Sequence, residues 1–182
     1  MASPEEEAAT WLVLTYRLPA KPASLRAAVR RKLTAAGAVY LSSACAIAPL
    51  SRPAERAMRR IRATISGAGG SAVLMAARAL SGEMELTGAC NAVCDREYQA
   101  VIDDCLAAVA ELETLKAACE LRFQHLRRQD IMVRQLTSRY RAVRSRDLFA
   151  ARLAQDAESA LVGYRLAIDE YAGLVLAVDS GP

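Results

Sequence analysis

Histidine occurs once in this 182-residue chain, aromatics make up only 5% of it, and one long stretch is almost without acids. Each scarcity removes a class of chemistry. With His125 alone, and remote in sequence from Cys90 and Cys94, no Cys/His spacing supplies the four ligands a structural zinc site needs, and no Ser/His/Asp set for nucleophilic catalysis is found. No glycine-rich loop follows a strand to cradle phosphates: Gly67-Ala68-Gly69-Gly70 precedes an apolar run and reads as a helix-to-strand turn. No close carboxylate pair is set in an apolar run, and no redox-cofactor motif is found, so no cofactor is expected and the sequence leans away from an enzyme. The aromatics fall mostly on apolar stripes, which suits core packing and not a base-stacking platform.

Other absences bear on location. The acidic start, Met1 to Glu7, lacks a signal-peptide core. Leu33–Ser51 is uncharged, but Gly37, Ser42, Ser43 and Pro49 make it a helix end plus a hairpin, so no membrane partner is expected. Five cysteines, an odd number without an export signal, suit reduced thiols in the cytoplasm. Internal repeats and low-complexity tracts are also missing, and 53% hydrophobic content supports a folded core.

What is present is a strong charge asymmetry. From Arg17 to Arg78 there are twelve Arg or Lys and a single acid, Glu55. From Ala79 onward twelve bases meet sixteen acids. A basic half of this kind favours nucleic acid, an anionic membrane or an anionic ligand.

The basic half also has a readable order. Trp11–Leu18 is a β-former run closed by Pro19. Ser24 is placed to cap a helix carrying Leu25, Ala28, Val29, Leu33 and Ala36 on one side, ended by Gly37. Val39–Leu41 and Cys45–Ala48 form a hairpin through Ser42-Ser43, a second helix covers Pro53–Ser66, and Ala72–Ala77 is a further strand. The β-α-β-β-α-β order predicts a ferredoxin-like domain over residues 11–81, after a flexible tail at residues 1–10. Ser81–Gly88 reads as a connector. Proline and glycine are absent from Ala89 to Val162, so residues 89–178 should form an α-helical bundle of about three helices, and the fold class is α+β. Its expected buried positions are Tyr98, Ile102, Cys105, Val109 and Leu112, then, after a bend over Leu121–Arg128, Ile131, Leu136, Tyr140 and Val143. Ala157, Leu161, Tyr164, Ile168, Tyr171, Val175 and Val178 complete the set.

Helical phase places candidate residues. Ala54, Ala57, Met58, Ile61 and Ile65 share a face, which turns Arg52, Arg56, Arg59 and Arg60 outward; Arg26, Arg30 and Arg31 lie off the apolar side of the first helix. These seven could merge into a phosphate-binding guanidinium surface, against the plainer reading of a solvated helix face. Lys32 falls inside the apolar arc, its stem passing the core edge. Asp147 is placed to cap the last helix, and Arg144 or Arg146 to pair with it at the junction or to hold an oxyanion. Cys90 and Cys94, one turn apart, are weak metal candidates; with Cys105 and Cys119 on the same face they read first as small hydrophobes.

These residues also resemble a family. Trp11…Leu18-Pro19, Arg26, Arg30 to Leu33, Gly37-Ala38, Ala46–Pro49 and Gly69-Gly70-x-Ala72, followed by Asn91-Ala92…Asp95-x-Glu97-Tyr98 and Val143-Arg144-x-Arg146-Asp147-x-Phe149, are similar to the N-terminal domain of the chromate-resistance regulator ChrB, over roughly Trp11 to Val178. The resemblance implies a cytoplasmic bacterial transcription regulator that binds DNA, with the basic face holding phosphates, and links it to chromate resistance. The sequence departs from the pattern at Cys90 and Cys94, where an aromatic residue and an arginine are expected, and it stops before the further C-terminal domain of full-length members. The alternative is an oxyanion- or metal-binding accessory protein of a resistance pathway without DNA binding. The expected partners are DNA and a small oxyanion such as chromate, and a homodimer is compatible with either reading.

Overall fold

The computed structural model describes residues 10–20 and 23–179, so the expected tail lies outside it except for Thr10, which begins the first strand. The chain is a mixed α/β protein with a four-stranded antiparallel sheet and, among the described residues, five helices. It divides into two compact units, Met1–Val93 and Cys94–Pro182.

In the first unit the elements run β1 (Thr10–Arg17), α1 (Ala23–Ala35), β2 (Val39–Ser42), β3 (Cys45–Pro49), α2 (Arg52–Gly67) and β4 (Ser71–Arg78), followed by the start of α3 (Glu83–Ala117). The strand order is β2-β3-β1-β4. The registers Leu12↔Ala48 and Leu14↔Ala46 put four small or branched side chains on one face. That face is covered by Val29 and Leu33 of α1 and by Ala54, Met58, Ile61 and Ile65 of α2, in a single buried cluster. Full burial of a side chain such as Met58 or Ile65 contributes roughly 1.5–3 kcal/mol. Trp11 and Ile47 alternate onto the opposite face and are also buried, whereas Val73 and Met75 are exposed there.

Local chemistry sets the joints. Gly37 takes φ 75°, and the Ala38 N–H donates to the Leu33 carbonyl at 3.0 Å, closing α1 as a left-handed cap. Ser51 caps α2 by accepting the Ala54 N–H at 3.3 Å. The hairpin turn is Ser43-Ala44, one residue later than expected, because Ser42 pairs with Cys45 across a bulge at Leu41. Two further boundaries differ from expectation. Ser24 lies inside the first turn of α1, not before it. Most of the supposed connector, from Glu83 on, is the first turn of α3, where Gly82 at φ 75° breaks the chain and Glu83 and Glu85 favour the positive helix end.

The second unit contains α3 from Cys94 on, α4 (Phe123–Arg144) and α5 (Ala154–Asp179). Buried residues on α3 fall at 94, 98, 101, 105, 108 and 112, and on α5 at 157, 161, 164, 168, 171 and 175 with Ala167 beside them, the same four-three alternation. α4 buries Gln129, Leu136 and Val143, seven apart. The expected Ile131 is exposed, because the inward row passes through Gln129 instead. Val178 is exposed in the last turn of α5, beyond the end of the packed row at Val175. The bend after α3 covers residues 118–122 and is shorter than expected, with Cys119 in the left-handed region at φ 54°.

Gly70 is held by space and not by φ. A Cβ there would stand 2.7 Å from the Arg17 carbonyl oxygen and 2.8 Å from Ile65 Cγ2. Gly70→Ala is expected to cost about 1–3 kcal/mol of stability, while Gly67→Ala, with open space around it, leaves stability unchanged or raised. Urea unfolding of the two variants checks this; equal stability of both would overturn the close-contact account.

Candidate functional site

The amphipathic α2 does what its spacing predicts. Its apolar arc faces the sheet, and Arg52, Arg56, Arg59 and Arg60 are exposed on the outer side. On α1, Arg26, Arg30 and Arg31 are likewise exposed. Lys32 is exposed too, so its position in the apolar arc does not bury it. Two residues of this group have fixed partners. Arg59 pairs with Glu55 at 2.7 Å, which places the basic half's only acid beside one arginine, and Arg30 lies over the Tyr40 ring at 5.8 Å from its centroid. Arg62 donates from Nε to the Ala72 carbonyl at 3.2 Å, tying α2 to β4.

Arg26 and Arg30 also line a hollow of ≈ 530 Å³ at the hairpin end of the sheet; its other polar walls are Tyr16, Arg17, Tyr40, Ser42 and Ser43. Arg17 and the two tyrosines are not among the residues that helical phase or motif singles out. The only signal was a cation ending a strand whose partner turn is Ser-rich. Burial pushes the Tyr40 phenol up to about 12, with neighbouring Tyr16 adding to the rise and Arg30 opposing it, so Tyr40 stays neutral at physiological pH.

In the second unit two sequence signatures meet. Asp147 is buried, accepting the Tyr98 hydroxyl at 3.1 Å on one oxygen and the Ala151 N–H at 3.0 Å on the other. Arg146 ion-pairs with Glu97, and Asp95 accepts the Leu153 N–H at 2.8 Å. The Asp95-x-Glu97-Tyr98 segment of α3 is thus bonded to the segment around Arg146-Asp147 after α4. This corrects the capping expectation: α5 starts at Ala154, seven residues past Asp147, and Asp147 instead closes the turn at Ala151. Arg144 reaches the Asp147 carbonyl at 3.4 Å and pairs with its carboxylate at 3.9 Å, as expected of one of the two arginines, while Arg146 pairs with Glu97 instead. Burial raises the Tyr98 phenol above its ordinary value, and the Asp147 carboxylate adds to the rise.

Cys90 and Cys94 lie one turn apart on α3 and are buried, as is Cys105. Cys119 departs from that face, since α3 ends at Ala117 and Cys119 is exposed. Burial, reinforced by Asp147 for Cys94 and by Asp104 for Cys105, pushes both thiols up to about 11. Among the described residues no group of three or more His, Cys, Asp or Glu side chains is arranged to hold a metal ion. No described helix is long and apolar enough to cross a membrane.

A two-unit α/β protein with a guanidinium-rich sheet domain and a polar-stapled helical unit is the class these features define. The chain belongs to the family described as protein ChrB, N-terminal, whose model matches residues 26–181. It is therefore a ChrB-like, chromate-resistance-associated protein. No curated protein and no solved structure gives a significant match.

Two outcomes follow from the helical unit. Asp147→Ala leaves the buried Tyr98 hydroxyl and Ala151 N–H without their acceptor and is expected to cost about 2–4 kcal/mol in urea unfolding; unchanged stability would mean the carboxylate has no structural role. In the folded protein at pH 8 a thiol reagent should modify the exposed Cys119 well before Cys94 and Cys105. A thiol titrating near 11 presents only about one part in a thousand as reactive thiolate at that pH, and the fraction rises with pH. Mass spectrometry of the labelled peptides reads the order, and early labelling of Cys94 would contradict the burial.

Proposed function

We propose that this protein is a DNA-binding regulatory protein of a chromate-resistance system, using the basic face of its first unit. The observation that carries the reading is the exposure of Arg26, Arg30, Arg31, Arg52, Arg56, Arg59 and Arg60 on two helices that share one side of the sheet, with Glu55 the single acid between Arg17 and Arg78. An ordinary soluble face intermixes both signs of charge. A surface of one sign, made of guanidiniums, matches the closely spaced phosphates of a duplex and draws it by release of bound counterions. The first unit is read as ferredoxin-like, supported by antiparallel strands in the order β2-β3-β1-β4 with α1 and α2 on one face.

The mechanism follows from the placement. Burial of the apolar sides of α1 and α2 holds the backbone rigid, and the flexible arginine stems reach out to phosphate oxygens. Phosphate contacts position the protein but do not read bases. The helical unit, stapled by Asp147, Arg146 and Glu97, is read as a scaffold.

Binding to duplex DNA should weaken steeply with salt, with a slope of log K against log salt of about −4 for four or five phosphate contacts. Replacing Arg56 and Arg60 together by Ala should make that slope shallower by about 2, on specific and nonspecific duplexes alike, with folding unchanged because both are exposed. Gel shift and fluorescence anisotropy across a salt series make the measurement. Wild-type protein without DNA affinity at low salt would sink the reading.

A further inference from the structure

The hollow at the hairpin end of the sheet has a build that the outer helical face lacks. Arg17 ends β1, and Arg26 and Arg30 stand one helical turn apart on α1. All three line the same space of ≈ 530 Å³ with the hydroxyl residues Tyr16, Tyr40, Ser42 and Ser43. Among the described residues no carboxylate lines it. None of the three arginines has an acidic partner within ion-pair distance among the described residues, and Glu55 is engaged with Arg59 on α2. The wall is held in place from behind. The Tyr16 N–H donates to the Ala44 carbonyl at 2.9 Å, and the Ala44 N–H donates to Ser42 Oγ at 3.3 Å. The Ser42 oxygen thus acts as acceptor, and its own proton remains available to donate. Arg30 rests against the Tyr40 ring, which orders its planar fork before any ligand arrives.

We propose that this hollow is a binding site for a phosphate ester. Three arginines and several hydroxyl-bearing residues line it, with no counter-charge among the described residues, which suits a dianionic group with three free oxygens. The space lies in the ~300–1,000 Å³ range of small-molecule clefts and exceeds what a bare inorganic ion fills. The organic part of the ester occupies the remainder, beside Tyr16, Leu18 and Tyr40. Tyr40 contributes no negative charge, since burial keeps its phenol protonated. The ester has two sources, a free mononucleotide or the phosphate of a nucleic-acid strand. The site shares Arg26 and Arg30 with the proposed DNA surface, but Arg17 and the hydroxyl wall are its own, and it stands whether or not duplex DNA is a partner.

Isothermal titration of the full chain at low salt separates the cases. The probes are adenosine 5′-monophosphate, adenosine, inorganic phosphate and a short single-stranded oligonucleotide. The monophosphate is expected to bind more tightly than inorganic phosphate, and adenosine not at all. Arg17→Ala and, as a second variant on a different element, Arg30→Gln should each weaken it roughly tenfold, with circular dichroism confirming the fold. The Arg56 and Arg60 double replacement, on the outer face of α2, should leave it within about twofold while altering duplex binding. Oligonucleotide binding that depends on Arg17, without binding of the monophosphate, assigns the site to a strand's phosphate. Failure of both probes, or equal loss from the α2 replacement and from Arg17→Ala, overturns the site, and the duplex measurement stands apart from either result.

Discussion

The packing of α1 and α2 onto β1 governs the first unit. β1 is hydrogen-bonded on both edges, to β3 and β4, and its Leu12 and Leu14 are buried beneath both helices. That burial consumes the apolar arcs of α1 and α2. The arginines on them, apart from Arg62 with its bond to the Ala72 carbonyl, are then turned away from the sheet, because a guanidinium buried without a partner would lose its hydration. The basic surface is therefore a consequence of core formation, and its density follows from how few acids the segment contains. Where the surface curls over the hairpin end, the backbone bond from Tyr16 to Ala44 brings the Ser43-Ala44 turn beside Arg17 and turns part of a charged face into a hollow.

In the second unit a polar constraint stands beside the apolar seam. Carboxylate burial at Asp147 is unfavourable unless every lone pair finds a donor. Here the Tyr98 hydroxyl and the Ala151 N–H supply donors from two segments far apart in sequence, and the Arg146–Glu97 pair lies one residue away on each side. A second buried polar contact, between Gln129 and the Tyr164 hydroxyl, joins α4 to α5. Both contacts select a particular helix register, which the interchangeable Ala, Leu and Val residues of the seam specify less strongly.

The order of elements in the first unit was legible because several switches of hydrophobic period are marked by a residue with one structural job, such as Gly37 closing α1. The arginine faces were legible for the same reason, since the period that buries Met58 and Ile65 must expose Arg56 and Arg60. Asp147 was less so. Its position after a helix suggests a cap, and nothing local announces that a tyrosine 49 residues earlier donates to it. Ile131 and Gln129 mislead in opposite directions, because hydrophobicity ranks them one way and the geometry of α4 against Tyr164 ranks them the other. The hollow at Arg17 had no periodic signature at all, being made of a strand end, one helix and a turn.

By itself the sequence determined what short-range periodicity and composition can encode: a β-α-β-β-α-β order, a long helical second half, a basic segment with one acid, and which helix sides face inward. It also carried enough ordered motifs to resemble the family that its match over residues 26–181 establishes. The tertiary structure alone decided which distant polar groups meet, that Asp147 serves Tyr98 and Ala151 instead of α5, and that Arg17, Arg26 and Arg30 line one space. The physical reason is range. Helical and strand periods act over a few residues and leave a trace in the sequence, whereas the pairing of buried donors with acceptors is settled by the path of the backbone through space.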